Sequence, residues 1–199
     1  MFDSIINSNE FLSDHWLAEA FPSKLTALNK KWTEREGRAE TTPTKGLAGI
    51  GAIYARACLD IPQPGDESYV QATTAAHSIL LTAMGYVPEP QILHTANGPV
   101  DVDVPLLARI TINGADMLHV LQARPVSSDD ELVSSDALLV APIVEHPEKD
   151  RPTHIRTVDK AVSLLFLLDD APRFVLVVAT NWVLLTDAER WAEGRYLAF

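Results

Sequence analysis

Gln91-Ile-Leu-His-Thr-Ala-Asn-Gly-Pro-Val-Asp-Val-Asp-Val-Pro-Leu-Leu-Ala-Arg-Ile-Thr-Ile-Asn-Gly-Ala-Asp-Met-Leu-His-Val-Leu-Gln-Ala-Arg124 is the stretch on which the fold of this chain turns. Gln91–Thr95 reads as a short strand, and Asn97-Gly98 after it is a strong signal for a two-residue hairpin. Val100–Ile112 alternates well enough for a long strand, with Pro105 pointing to an edge position or a bulge. Asn113-Gly114 is a second hairpin signal. Met117–Arg124 then forms a third strand, with Leu118, Val120 and Gln122 on one face. Two such turns in succession predict a three-stranded antiparallel meander.

Upstream the period is helical. Ser13 is placed to cap a helix over Asp14–Phe21, which Pro22 should end, and Ser23 to cap a second in which Leu25, Leu28 and Trp32 share a face. A polar break at Glu40–Thr44 precedes a helix over Gly46–Leu59, and Pro62–Asp66 is rich in turn formers. A further helix over Glu67–Met84 has Ala72, Ala76, Ile79, Leu80 and Ala83 as its expected inner face, and Gly85 stops it. Downstream, Pro125–Ser135 is an acidic loop or short helix, Ala137–Val144 a strand, and Pro147–Pro152 a charged loop. Thr157 should cap a helix running to Leu168, with Val158, Ala161, Val162, Leu165 and Leu168 inward. The apolar run Arg173–Ala179 reads as a buried central strand, and Trp182–Leu185 as another after a bend at Thr180-Asn181. Asp187 opens a last helix, so the chain reads as a fragment that ends inside a helix. These elements predict an α/β domain, with a helical segment over 1–65 and a core of helices and mixed sheet over 66–199.

Composition narrows the classes. In 199 residues, 47% are apolar and 22% charged, as expected of a folded domain. The longest apolar runs fall far short of the roughly 20 residues of a membrane span, and the N-terminus lacks the pattern of a secretory signal. The expected compartment is the cytoplasm. Cys58 is the one cysteine, so no internal disulfide can form. A net charge of −11 opposes a free-standing grip on DNA, because phosphate contacts need a basic face. Positive residues gather over Lys24–Arg38 and Lys149–Arg156.

Several catalytic motifs are missing: a Gly-rich phosphate loop, a Gly-x-Ser-x-Gly elbow and a His-Glu-x-x-His helix. Gly46-Leu-Ala-Gly49-Ile-Gly51 has the glycines of a phosphate loop but no preceding strand, and suits close helix packing. The histidines His15, His77, His94, His119, His146 and His154 are scattered without ligand spacing and are expected to be ordinary core or surface residues.

The order of helix, three-stranded meander, helix and further strand resembles the αβββαβ core of PD-(D/E)XK restriction nucleases. That resemblance implies an Asp on one strand and an acidic-x-Lys triplet on the next, converging on a divalent cation such as Mg²⁺. Asp103, with Asp101 beside it, would take the first role, and Gln122-Ala-Arg124 stands at the triplet. Gln122 offers a neutral carbonyl in place of a carboxylate, and Arg124 stays protonated, so a nuclease site built on them would be degenerate. The opening Phe2-Asp-Ser-Ile-Ile-Asn-Ser-Asn-Glu-Phe-Leu-Ser-Asp-His-Trp-Leu-Ala-Glu-Ala-Phe-Pro22 is similar to the start of type IIG-like restriction–modification DNA adenine methyltransferases, including those of phage-defence systems such as DISARM. Trp182–Phe199 is similar to the join to their later domains, and Phe174–Asp187 to the strand-turn-strand element that closes restriction-subunit nuclease domains.

The resemblance implies S-adenosylmethionine chemistry in a downstream domain, because no Asn-Pro-Pro tetrapeptide occurs here. It implies DNA as a partner through the full-length protein, with the methyltransferase domain or a partner subunit packed against this one, and no membrane. Two alternatives stand beside it. One is an active Mg²⁺-dependent endonuclease, in which Glu89 or Asp116 joins Asp101 or Asp103 at the metal. The other is a non-enzymatic module that binds a protein through its acidic surface.

Overall fold

A computed structural model describes residues 5–147 and 151–199 of the chain. The first residues of the opening phrase, Phe2 to Ser4, and the middle of the charged loop, Glu148 to Asp150, lie outside the described residues. The fold is α+β and contains a mixed sheet, as the sequence predicts. The chain forms two compact units, Glu10–Pro88 and a second comprising Met1–Asn9 with Glu89–Phe199. The division therefore falls near residue 88 and not at 65, because the fourth helix belongs with the helical unit.

The helical unit begins where Ser13 Oγ accepts the Trp16 N–H at 3.2 Å, the cap expected from the sequence. Pro22 does not end this helix. A π-helical turn over Trp16–Ala20 leads into α1 (Phe21–Gly37) and places Pro22 in the first turn of α1. The Phe21 N–H still donates to Trp16 O across the π turn, and Pro22, which has no N–H, stands at the change from π to α geometry, where the ladder is already offset. Ser23 caps nothing, since its hydroxyl donates to Ala20 O at 2.8 Å. The helix expected over Gly46–Leu59 is two, α2 (Pro43–Gly49), capped by Thr42, and α3 (Gly51–Leu59). Gly46 is required by close packing, because a Cβ there would lie 2.5 Å from Ala83 O of α4 (Tyr69–Ala83). α4 buries Tyr69, Thr73, Ala76, His77, Leu81 and Ala83, so Ala76 and Ala83 of the expected face are buried while Ala72, Ile79 and Leu80 are half-buried, and Gly85 at φ +90° terminates it.

In the second unit, β1 (Ile6–Ser8) is followed, after the helical insertion, by β2 (Gln91–Asn97), β3 (Val100–Leu106), β4 (Ala108–Ile112) and β5 (Ala115–Gln122). Both hairpins form. Asn113 and Gly114 both have positive φ, as the two-residue loop joining β4 and β5 requires. The first loop is Gly98-Pro99 and not Asn97-Gly98, because Asn97 pairs with Val100 and only Gly98 takes positive φ. The single meander does not form. The expected long strand breaks at Leu107, and its halves join different sheets.

α5 (Asp129–Leu132), β6 (Leu138–His146), β7 (Thr153–Thr157), α6 (Val158–Leu165), β8 (Phe174–Val178), β9 (Val183–Asp187), α7 (Ala188–Trp191) and β10 (Tyr196–Ala198) complete the unit. The four-stranded sheet runs β2-β3-β6-β7, all antiparallel. The six-stranded sheet runs β1-β10-β9-β8-β5-β4 and is mixed, because β5 and β8 are parallel. Pro105 breaks no ladder, since β3 meets β6 only over Asp101–Asp103. Strand β7 lies between the expected charged loop and the helix after Thr157, over residues for which the sequence predicts no element. The final helix is four residues long and gives way to β10, which pairs with β9 and β1, so the chain ends in a strand.

The core is built from both sheets and α6. Val102 and Val104 of β3, Leu121 of β5, Val175 and Val177 of β8, and Val158, Ala161, Val162 and Leu165 of α6 belong to one buried cluster. The inward face of α6 is the one its spacing predicts, and β8 is the buried central strand expected of an apolar run.

Candidate functional site

A polar concavity lies on the solvent side of the four-stranded sheet. Asp103 on β3 is directly opposite His94 on β2, and Asp101 is directly opposite His146 on β6. Residues two apart on a strand share a face, so His94, Asp101, Asp103 and His146 project to the same side. His94 Nδ1 is 2.6 Å from Asp103 Oδ1, and His146 Nε2 is 3.0 Å from Asp103 Oδ2. The hydrogen bond from His94 holds the Asp103 carboxyl below the usual carboxylate range, and the bond from His146 adds to this. An ionised carboxylate only accepts, so both imidazoles donate to it. The side chains remain in contact with water, at 76% exposure for His94, 42% for His146 and 35% for Asp103.

After α6 the chain returns to this face. The Asp169 N–H donates to Ala96 O at 2.9 Å, which ties the loop to the edge strand β2. Asp169 and Asp170 thereby complete a cavity of about 580 Å³ with His94, His146, Asp101 and Asp103. Among the described residues no Lys or Arg lines it.

A second carboxylate, Asp116 on β5, has a different environment. It accepts from Arg109 Nε and Nη2, both at 2.7 Å, and these bonds hold its carboxyl below the usual range. His119 Nε2 is 3.5 Å from Asp116 Oδ1, too long for a good hydrogen bond. His119 is fully buried, neither ring nitrogen has a hydrogen-bond partner among the described residues, and burial pushes its pKa down. A bulge assembles this group. Across Ile110–Thr111 of β4 the partner residue jumps from Leu118 to Asp116, leaving Met117 extra. The extra residue reverses the alternation and turns Asp116 toward the face of Arg109 and His119.

The positions expected to form a nuclease site are divided between the sheets. Asp101 and Asp103 lie on β3 of the four-stranded sheet. Gln122 ends β5 of the six-stranded sheet, opposite Val178. Arg124 lies beyond β5, its N–H donating to Leu138 O at 2.8 Å. Gln122 and Arg124 are both half-buried. Glu89 precedes β2, is exposed, and donates its backbone N–H to Leu107 O. The residues that sequence reasoning missed are His94 and His146, which the sheet register delivers to Asp103. No known protein family, curated protein or solved structure matches the chain.

Proposed function

We propose that this chain is a catalytically degenerate, nuclease-like domain of a bacterial restriction–modification DNA methyltransferase, and that it serves attachment to the rest of the enzyme or to a partner subunit. The observation that carries this is the pairing around β5: antiparallel to β4, and parallel to β8 across the crossover through α6. A strand bearing the triplet position, followed by a helix and a parallel strand, is the order that the resemblance to restriction nucleases implies. Gln122 and Arg124 occupy the triplet without an acid or a lysine. The helical unit also leaves Leu47, Ile53 and Leu59 exposed by 45%, 62% and 81%, apolar surface of the sort that packs against another protein.

Residues available for a nuclease-type Mg²⁺ fit poorly. Such an ion prefers several carboxylate and water oxygens in near-octahedral array. Asp103 lies between two imidazole nitrogens, which Mg²⁺ does not favour as ligands, and the buried Asp116 side chain has both oxygens on Arg109. Plasmid DNA incubated with the full chain and Mg²⁺ or Mn²⁺ at low salt tests the proposal. Intact supercoiled plasmid is expected; metal-dependent nicking that disappears in Asp103→Ala would establish an active endonuclease instead. Attachment is tested by adding the methyltransferase domain of the same enzyme in trans, where a stable complex is expected. Failure to associate with that domain or with DNA would leave the acidic protein-binding module.

A further inference from the structure

We propose that His94, Asp103 and His146 form a binding site for one divalent transition-metal ion of the zinc class. The proposal stands apart from the nuclease-like reading, since it concerns only the four-stranded sheet and uses neither Gln122 nor Arg124. Three strands each supply one donor to the same face, and each imidazole nitrogen lies within 3.0 Å of an Asp103 oxygen. Two imidazoles and a carboxylate suit zinc, nickel or cobalt, whereas magnesium and calcium seek oxygen alone. Asp101, beside Asp103 and opposite His146, adds a carboxylate within the same cavity. The 580 Å³ opening supplies the entry path and space for water on the ion.

The same trio as a stabilising device would accomplish little. Exposed ion pairs contribute about 0–1 kcal/mol, and His94 is 76% exposed. Among the described residues no three His, Cys, Asp or Glu side chains are placed to hold a metal ion as they stand, so ligation requires the two rings to turn. The two imidazoles sit on different oxygens of Asp103, each through a hydrogen bond. An entering ion replaces those two bonds. Each imidazole then carries its proton on the ring nitrogen facing away from the metal, and an imidazolium gives one proton to solvent. The exposure of both rings leaves them room to turn toward a shared ion.

Isothermal titration of the full chain with Zn²⁺, alongside Co²⁺ absorption spectra, is the test. The expected result is one ion per chain and a cobalt spectrum of low-symmetry nitrogen–oxygen ligation. His94→Gln, His146→Gln and Asp103→Asn should each weaken zinc binding at least about tenfold, the scale seen even for groups that only support a ligand. Thermal unfolding of each variant checks that the fold is intact. Imidazole NMR of the unaltered chain gives an answer that needs no variant, because zinc should shift His94 and His146 and leave the buried His77 and His119 in place. No stoichiometric uptake, uptake that survives the His94→Gln/His146→Gln double change, or shifts at other histidines would each overturn the proposal.

Discussion

In each sheet an aspartate is engaged by basic side chains of the same sheet, Asp116 in one and Asp103 in the other, and these two differ in almost every physical respect. Asp116 is 7% exposed, is bonded twice to Arg109, and lies beside a histidine with no access to water. Asp103 is open to solvent and shared between two histidines that are themselves exposed. Removing water makes a charge pair costly to break, whereas leaving it in water makes the pair cheap and exchangeable. The contrast separates roles: Asp116 fastens a hairpin, and Asp103 is free to trade its partners for a ligand.

The largest effect expected is at Asp116. Asp116→Ala strands the Arg109 guanidinium, 29% exposed, beside a fully buried ring. Urea denaturation should show a loss of about 3 kcal/mol, the lower end for removing one member of a buried pair. Asp103→Ala should lose less than about 1 kcal/mol in the same assay. Equal losses would erase the distinction between the two sites.

A pH series sharpens it further. His119 is kept neutral by burial, so its folded pKa lies below the unfolded value of about 6.5. Below that value the unfolded chain takes up a proton that the folded chain refuses. Stability from this group is therefore complete above about pH 6.5 and falls as the pH drops, by up to about 1.4 kcal/mol per unit. In His119→Leu the fall between pH 6.5 and 5 should be smaller; an unchanged slope would assign the titration elsewhere.

The smaller test concerns the turn that sets the buried group. Gly114 holds φ +81° in the loop between β4 and β5, where an L side chain is strained. Gly114→Ala should cost about 1 kcal/mol in thermal or urea unfolding. No loss would mean that the hairpin register is fixed by the bulge and the Arg109–Asp116 bonds alone.

Much of the architecture was legible in residues 91–124 and 157–187. Two hairpins, the inward face of α6 and the buried strand β8 follow from glycine turns and apolar spacing. Neither polar group was legible, and each for a physical reason. Placing the first turn at Asn97-Gly98 instead of Gly98-Pro99 would set Asp103 opposite Ile92, so a one-residue shift conceals the His94 pair. His146 arrives 43 residues later through β6, a pairing that no local pattern announces. Asp116 meets Arg109 only because Met117 is an extra residue in its strand, and alternation alone does not reveal a bulge. The split of one long strand into two sheets is equally silent, since Val100–Ile112 remains apolar on both sides of the corner.

That corner constrains how the chain can vary between species. Leu107 is fully buried, donates its N–H to Val120 O and accepts from the Glu89 N–H, and is the single residue between β3 and β4. One residue added or lost there would keep one sheet in phase and reverse the other, turning Val102 and Val104 outward or Arg109 and His119 onto the opposite face. Related sequences should therefore gather their insertions and deletions in surface turns such as Pro62–Asp66 and hold a constant length from Val100 to Ile112.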